Sequence, residues 1–333
     1  MDKQTITIYD VAREAGVSMA TVSRVVNGNP NVKPSTRKKV SEVIDRLDYR
    51  PNAVARGLAS KKTTTVGVII PNVTNLFFSS LARGIDDIAS MYKYNIILAN
   101  SDDNPEKEIQ VFNTLLAKQV DGIIFMGEDI NEHILQEVKR THTPVVFAGT
   151  ILSQGDISSV NIDYRAAIKA VTNLLLATKE YVALVTGPSH YDINKDYRLA
   201  GYKDALKENG LRYKSDLVLQ SAFKYKDGEQ IVAALLAAKA DAVVVSDDEI
   251  AIAILNALSD RGIKVPEDFE IMTSNNSMLT EIVRPQLSSI QLPLYDIGAV
   301  AMRLLTKIMN NEEIEERQII LPFKVVHRGS TKN

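Results

Sequence analysis

Residues 8–28 read IYDVAREAGVSMATVSRVVNG and carry the most informative pattern of the chain. Two short segments with apolar residues at helical spacing flank the turn Gly16-Val17-Ser18, which is typical of a helix-turn-helix. Gly16 permits the tight turn, and Ser18 is a natural N-cap for the second helix. The second helix of such a unit lies in the major groove of DNA, so the pattern predicts a DNA-binding head.

The flanking residues extend this prediction to three helices. Thr7 can cap the first helix, with Asp10 in a capping-box arrangement, and a third helix is expected to start near Pro34 and Ser35. Apolar residues at i, i+3, i+4 and i+7 in the third helix predict that it packs on the first two. The side chains predicted to face inward are Val11, Ala12, Val17, Val22, Val26, Val40, Val43, Ile44 and Leu47.

The net charge of residues 1–62 is opposite in sign to that of the rest of the chain. Residues 1–62 contain 12 Lys and Arg against 6 Asp and Glu, a net charge of +6, whereas the remainder contains 27 against 35, a net charge of −8. A basic head attracts phosphate and an acidic body is repelled by it, so this asymmetry favours a protein that binds DNA.

Composition narrows the class of protein. With 333 residues, 45% hydrophobic and 24% charged, the chain has the composition of a globular protein of two or three domains. It has no cysteine, no run of about 18 uncharged apolar residues and no apolar signal segment. We therefore expect a cytoplasmic protein that neither spans nor binds a membrane.

From residue 66 onward, short apolar runs alternate with helical patterns, which indicates parallel sheets covered by helices on both faces. The alternation starts again after Asp163, and two such halves are too many for one sheet. The predicted fold class is an all-α helix-turn-helix head followed by an α/β core of two Rossmann-like subdomains, similar to periplasmic binding proteins. The segment 295–310 and then 318–327 is expected to cross back to the first subdomain.

The expected domain boundaries follow from these patterns. Residues 1–50 are expected to form the head, and residues 51–65 are expected to form a segment that connects it to the core. The first core subdomain comprises residues 66–162 plus 292–322, and the second comprises residues 163–291 plus 323–333.

The sequence offers no catalytic or metal site and no cofactor motif. Its four histidines are scattered, and no nucleophile elbow, Walker A loop or Gly-x-Gly-x-x-Gly pattern is present. The acidic pair Asp247-Asp248 stands at a strand-to-helix boundary, where a capping or first-turn role explains it. We therefore predict that the chain is not an enzyme.

Three motifs resemble the head of the lactose/galactose repressor family of bacterial transcription regulators: Asp10-Val11-Ala12, Ala15-Gly16-Val17-Ser18 and Thr21-Val22-Ser23-Arg24-Val25. The resemblance implies a homodimer on a double-stranded DNA operator. It also implies that residues 53–59 form a hinge helix on DNA, with Leu58 as a minor-groove wedge. The residues alone also permit a flexible linker there. The predicted DNA-binding residues are Thr7, Ser18, Met19, Ala20, Thr21, Arg24, Asn27, Asn52, Ala55 and Leu58.

Ligands of open α/β sheets bind beyond the carboxyl ends of the strands, which predicts an effector cleft at the loops 72–77, 102, 187–191 and 247. Many relatives place the arginine of the motif Arg198-x-x-Gly201-Tyr202 at the effector, which adds Arg198 by resemblance. The residues expected in this cleft are Asn72, Asp102, Arg198, Asp247 and Asn275. Relatives usually have Gly-Phe-Asp at the end of the strand near Thr273, and this chain has Thr273-Ser274-Asn275-Asn276. The missing carboxylate argues against a neutral sugar and leaves open a phosphorylated sugar, no small molecule at all, or a purely structural Arg198.

A second recognition face is predicted on the helix near residues 295–310. Asp296, Val300, Arg303 and Lys307 step by three or four residues and share one side of it. Two cations beside an apolar rim can receive a phosphorylated protein surface, although the spacing alone also fits an ordinary solvated face.

Residues 29–34, 53–68, 89–97, 284–287 and 295–307 are similar to the regulators of carbon catabolite control within the same family. This likeness implies that the corepressor is the histidine-containing phosphocarrier protein HPr in its serine-phosphorylated form. By the same likeness, its binding residues are Tyr295, Asp296, Val300, Arg303 and Lys307. The alternatives are a repressor that responds to a sugar or sugar phosphate and, from another class, a cytoplasmic solute-binding protein.

Overall fold

The computed structural model describes residues 6–50, 62–127, 130, 132–151, 156–221 and 225–332. The chain divides into two compact units, with the boundary between Thr63 and Thr64. The first unit is a small helical head, and the second is a large α/β core.

The head contains three helices, α1 (Ile8–Ala15), α2 (Met19–Val26) and α3 (Pro34–Arg46). The Asp10 carboxylate accepts hydrogen bonds from the Thr7 backbone N–H at 3.0 Å and from the Thr7 hydroxyl at 2.7 Å. Gly16 ends α1 with a φ of 60°, a conformation that favours glycine. Ser18 caps α2 by accepting a hydrogen bond from the Thr21 N–H at 3.2 Å. The helix-turn-helix prediction is therefore confirmed.

A single apolar cluster joins the three helices of the head. Val11, Ala12, Val22, Val40 and Val43 are buried in it as predicted. The prediction for Val26 was too strong, because its neighbour Val25 is buried while Val26 is only partly covered. The side chains of Val17, Ile44 and Leu47 are likewise only partly buried.

The core contains two sheets, and the first is parallel throughout. Its strands lie in the order β11-β5-β4-β3-β1-β2. They are β1 (Thr65–Ile70), β2 (Asn95–Asn100), β3 (Gly122–Phe125), β4 (Val145–Ala148), β5 (Ser158–Ile162) and β11 (Gln318–Leu321). The β1, β3 and β4 strands are almost wholly buried, as expected of strands with helices on both faces.

The second sheet has the order β12-β10-β9-β8-β6-β7, and its edge strand β12 runs antiparallel to β10. Its strands are β6 (Val182–Thr186), β7 (Val218–Gln220), β8 (Ala242–Val245), β9 (Glu270–Thr273), β10 (Ser288–Gln291) and β12 (Lys324–Val326). The two sheets confirm the predicted fold class.

The helices of the core are α4 (Leu76–Met91), α5 (Pro105–Ala117), α6 (Glu132–Arg140), α7 (Tyr164–Leu176), α8 (Leu199–Glu208), α9 (Gly228–Ala237), α10 (Asp248–Asp260), α11 (Leu279–Ile282) and α12 (Leu294–Met309). The apolar spacing predicted helices at 77–92, 106–118, 131–139, 164–177, 195–209, 227–238, 248–261 and 295–310. Each observed end lies within one residue of these bounds except the start of α8, and the short α11 was not predicted.

Besides the unpredicted α11, the structure differs from the sequence-based expectation in three places. Strands β5 and β10 were not predicted, because each is a short run that includes serines. The helix expected to begin at Lys195 is preceded by a π-helical turn, Ile193–Arg198. The segment 318–327 was expected from the order of elements to cross back to the first subdomain, while the expected domain boundary divided it after residue 322. In the structure it contributes β11 to the first sheet and β12 to the second.

Candidate DNA-binding, effector and partner sites

The exposed side of α2 presents the residues predicted to contact DNA. Ser18 and Thr21 share a hydrogen bond of 2.9 Å between their hydroxyls at the start of the helix. Arg24 is exposed one turn later and forms no hydrogen bond or ion pair with the described residues. An exposed guanidinium without a partner keeps all its donors available for a base edge or a phosphate.

The remaining predicted DNA contacts surround this arginine or lie elsewhere. Met19 is 41% exposed at the start of α2, and Ala20 beside it is also exposed. Asn27 ends α2 and donates a hydrogen bond of 3.3 Å to the Ser23 hydroxyl. Thr7 is exposed at the start of α1. Asn52, Ala55 and Leu58 lie outside the described residues.

In the core, Arg198, Asp247 and Asn275 line one cleft, as the sequence predicted. Arg198 is only 5% exposed and donates a hydrogen bond of 2.7 Å to the Asn194 side-chain oxygen. The same oxygen accepts a hydrogen bond of 2.9 Å from the Thr186 hydroxyl, and the guanidinium lies 5.6 Å from the centre of the Tyr164 ring. The π-helical turn thus fixes a buried cation at the cleft.

Asn72 and Asp102 lie away from the residues that line this cleft. The side-chain oxygen of Asn72 accepts hydrogen bonds from the N–H and hydroxyl of Thr74, which closes a local turn. Asp102 is exposed and pairs with Lys107 and Asn100. Both side chains therefore form contacts within the loops that follow β1 and β2. The cleft is lined by Asn75, Phe77, Phe78, Gly127, Gly149, Ile193, Arg198, Ser246, Asp247 and Asn275.

Asn75 and Phe77 line the cleft and lie in the loop 72–77 that the rule for strand ends had indicated. Asn75 caps α4 by accepting a hydrogen bond of 2.8 Å from the Phe77 N–H. Gly127, Gly149 and Ser246 were not indicated, although each also follows the carboxyl end of a strand. The cleft holds only about 40 Å³ of free volume, which is room for a few water molecules. A sugar-sized ligand would require the two halves of the core to open.

Two neighbouring acidic residues, Asp247 in the cleft lining and Asp248 beside it, have raised pKa values. Asp247 is the N-cap of α10 and accepts hydrogen bonds from the N–H groups of Glu249 and Ile250. Burial raises the pKa of Asp247, and burial raises the pKa of Asp248 to about 7. Asp248 accepts hydrogen bonds from the Thr273 hydroxyl at 2.8 Å and from the Ser277 N–H at 2.7 Å. These bonds make Asp248 a structural link between α10 and the loop after β9.

The exposed side of α12 carries the predicted partner face. Arg303 and Lys307 are exposed one turn apart, and neither forms an ion pair with the described part of the chain. Val300 lies half-buried beside them. Tyr295 is 44% exposed, and its hydroxyl donates a hydrogen bond of 3.2 Å to Asp87 of α4. Asp296 is exposed on the next residue.

Two grooves run along this face, one on each side of Val300. The first is lined by Val300, Arg303, Leu304, Lys307, Ile314, Glu315, Glu316 and Ile319. The second is lined by Gln291, Pro293, Asp296, Val300, Leu321, Pro322 and Lys324. The sequence did not assign the groove residues outside α12 to this face. Helical spacing relates residues within one helix, and it does not show which loop or strand packs beside that helix.

The backbone of α12 is held against α4 by two glycines. A Cβ atom added to Gly84 would lie 2.0 Å from the Tyr295 carbonyl oxygen, and one added to Gly298 would lie 2.0 Å from the Leu81 carbonyl oxygen. No side chain fits at such distances, so both positions require glycine. This close contact fixes the orientation of the exposed side of α12.

A metal-binding cluster and a membrane-spanning helix are both absent from the described residues. Among the described residues, no group of His, Asp and Glu is arranged to hold a metal ion. No helix in the described ranges is long and apolar enough to cross a membrane.

Two family models match the chain. The model for bacterial regulatory proteins of the lacI family matches residues 7–52, which include the three helices of the head. The model for periplasmic binding proteins and the sugar-binding domain of the LacI family matches residues 63–328, which is nearly the whole core.

Individual relatives agree with these models. The chain is 59% identical over 328 residues to catabolite control protein A of Streptococcus mutans, an alignment that covers 98% of each chain. The structure resembles the transcription regulator CcpA of Lactococcus lactis, with 45% identity, a TM-score of 0.76, and coverage of 80% of this chain and 99% of that one.

The lac repressor dimer bound to its operator and an anti-inducer shares the fold, with a TM-score of 0.89, 24% identity, and coverage of 98% of this chain and 99% of that one. The chain therefore belongs to the lacI family of bacterial regulatory proteins, and it is a DNA-binding transcription regulator of the catabolite-control type.

Proposed function

We propose that this regulator binds a near-palindromic operator as a homodimer and that serine-phosphorylated HPr enhances this binding by docking on α12. The observation that carries the proposal is the pair Arg303 and Lys307, exposed one turn apart and unpaired within the described residues. A phosphoserine carries a charge of roughly −1.5 to −2 near pH 7, so two cations at this spacing can both bond to its phosphate.

DNA binding uses the exposed side of α2. Arg24 contacts a guanine through two donors, and Met19 and Ala20 contact thymine methyl groups. A dimer with two-fold symmetry matches an operator with two-fold symmetry. The lac repressor, which shares the fold, is itself a dimer on its operator.

Docking of the phosphorylated protein combines charge and apolar contact. Arg303 is the stronger anchor, because its planar group can bond two phosphate oxygens, while Lys307 offers a point charge. Val300 and the ring of Tyr295 provide the apolar surface beside the cations. The Asp87 carboxylate holds the Tyr295 hydroxyl and so limits the positions of that ring.

The direct test is operator binding by the full chain, measured by fluorescence anisotropy of a labelled operator. Serine-phosphorylated HPr should tighten binding, while unphosphorylated HPr at the same concentration should leave it nearly unchanged. Equal effects of the two forms would mean that the phosphate is not recognised.

A second candidate function is a response to a phosphorylated sugar in the core cleft. Arg198 supports it, since a buried guanidinium held by Asn194 is a preformed anion site. By resemblance, Asn275 takes the place of the aspartate that holds sugar hydroxyls in relatives, and its amide does not supply that negative charge. Because the cleft holds about 40 Å³ of free volume, such a ligand would bind an opened form of the core.

A further inference from the structure

The groove beside Arg303 and Lys307 has two walls of opposite charge. Arg303 and Lys307 of α12 form one wall, and Glu315 and Glu316 of the loop before β11 form the other. The groove has a volume of about 350 Å³. Its floor is apolar and consists of Val300, Leu304, Ile314 and Ile319.

The charges on the two walls are not joined to each other. All four charged side chains are exposed, and the described residues include no ion pair between the two walls. The carboxylates therefore lower the positive potential at the cations without blocking them. Such an effect is modest in water, because solvent and salt screen the interaction between exposed charges.

We propose that Glu315 and Glu316 determine the specificity of this groove: they offset the charge of Arg303 and Lys307, so that a phosphate binds only when the surface that carries it also fills the apolar floor. The occupant is a protein surface with a phosphoserine next to an apolar side chain. This inference rests on the proposed function, since it concerns the same partner.

Two contributions determine how tightly a phosphate binds in this groove: attraction to the cations and coverage of the apolar floor. A free phosphate gains only the attraction of the two cations, which the two carboxylates reduce. A phosphate on a protein surface gains the same reduced attraction, and that surface also covers the half-buried Val300, Ile314 and Ile319, which is favourable because it removes apolar area from water. The groove thereby discriminates against small phosphates that are abundant in a cell.

The test compares two double variants of the same loop. Glu315→Gln/Glu316→Gln removes the acidic wall, and Glu312→Gln/Glu313→Gln removes the same charge from exposed residues that do not line the groove. For each protein, affinities for unphosphorylated and serine-phosphorylated HPr give a discrimination ratio. Attraction of the partner's other charges cancels in this ratio, which leaves the interaction with the phosphate.

We expect Glu315→Gln/Glu316→Gln to raise the ratio by roughly two- to fivefold over the parent, while Glu312→Gln/Glu313→Gln changes it much less. A ratio that stays constant or falls in the first variant overturns the inference. Equal increases in both variants also overturn it, because they would reflect only the net charge of the chain.

A second measurement does not depend on HPr. Thermal unfolding of the full chain is compared in inorganic phosphate and in chloride at equal ionic strength and pH. Phosphate should stabilise Glu315→Gln/Glu316→Gln more than the parent, and the further change Arg303→Ala should remove that gain. Absence of an Arg303-dependent gain overturns the inference. If the parent does not distinguish the two forms of HPr, the proposed function fails, and this measurement alone judges the role of the acidic wall.

Discussion

Gly84 of α4 and Gly298 of α12 meet at a helix crossing where each helix occupies the space that a side chain of the other would need. A Cβ on either residue would lie 2.0 Å from a carbonyl oxygen of the opposite helix. The crossing matters for function because α12 also carries Arg303 and Lys307. The exposed face of the helix can keep its direction only while the buried face stays this close to α4.

Gly84→Ala should therefore lower the free energy of unfolding by about 1–3 kcal/mol, since the helices must separate to admit one methyl group. Urea unfolding followed by circular dichroism measures this change. Ser90→Ala, on the exposed side of the same helix, serves as the control and should change stability by less than about 0.5 kcal/mol. A loss no greater than that of the control would show that the crossing relaxes without strain.

Arg24→Ala should weaken binding to the specific operator by about 1–3 kcal/mol and binding to random DNA much less. The reason is that a contact to a base edge is lost only at the specific site. Anisotropy titrations with both DNAs at the same salt concentration measure the two losses. Equal losses would place Arg24 on a phosphate instead.

Arg303→Ala should abolish most of the HPr-dependent gain in operator binding and leave the weak binding of the regulator alone unchanged. Arg303→Lys should restore only part of the gain, because an ammonium cannot bond two phosphate oxygens in parallel. Operator titrations with and without serine-phosphorylated HPr report both quantities. If both variants respond as the parent does, the corepressor docks on another surface.

Asp248 should make the core less stable as the pH rises from about 4 to about 7. Its pKa is about 7 in the folded chain, against an ordinary value of 3.8, so in this window the folded state keeps a proton that the unfolded state has released. The loss amounts to at most roughly 4 kcal/mol.

Urea unfolding of the parent and Asp248→Asn between about pH 5 and pH 8 tests this. The difference between the two should shift in favour of the variant as the pH rises, since the amide that replaces the carboxyl does not ionise. The exposed residue Asp260 at the end of the same helix provides the control Asp260→Asn. A pH-independent difference for Asp248→Asn would mean that the carboxyl is already ionised in the fold at low pH.

The cleft should bind a hexose phosphate more tightly than the matching neutral hexose, and Arg198→Ala should remove the preference. Calorimetry with both ligands measures it. Arg165→Ala is the matched control, because Arg165 is exposed and pairs with Asp204 away from the cleft. Tight binding of the neutral sugar by the parent would favour the alternative of a sugar-responsive repressor.

Local patterns were enough to predict the head and most of the core elements. Gly16 and Ser18 specify their turn through backbone freedom and a side-chain cap, which act within a few residues. The long helices α4 and α12 were found within one residue of their ends for the same reason, since apolar periodicity is a local property. Short strands with serines, such as β5 and β10, lack that periodicity.

The composition of the sites depended on contacts between distant parts of the chain. The rule for strand ends placed Asp247 in the cleft, and resemblance to relatives placed Arg198 and Asn275 there. The same rule also selected Asn72 and Asp102, whose side chains bond within their own loops. Periodicity placed Arg303 and Lys307 on one side of a helix. The acidic wall opposite them, and the glycine crossing beneath them, arise from residues that only three-dimensional packing brings together, because electrostatic and steric contacts depend on distance in space and leave no periodic signal along the chain.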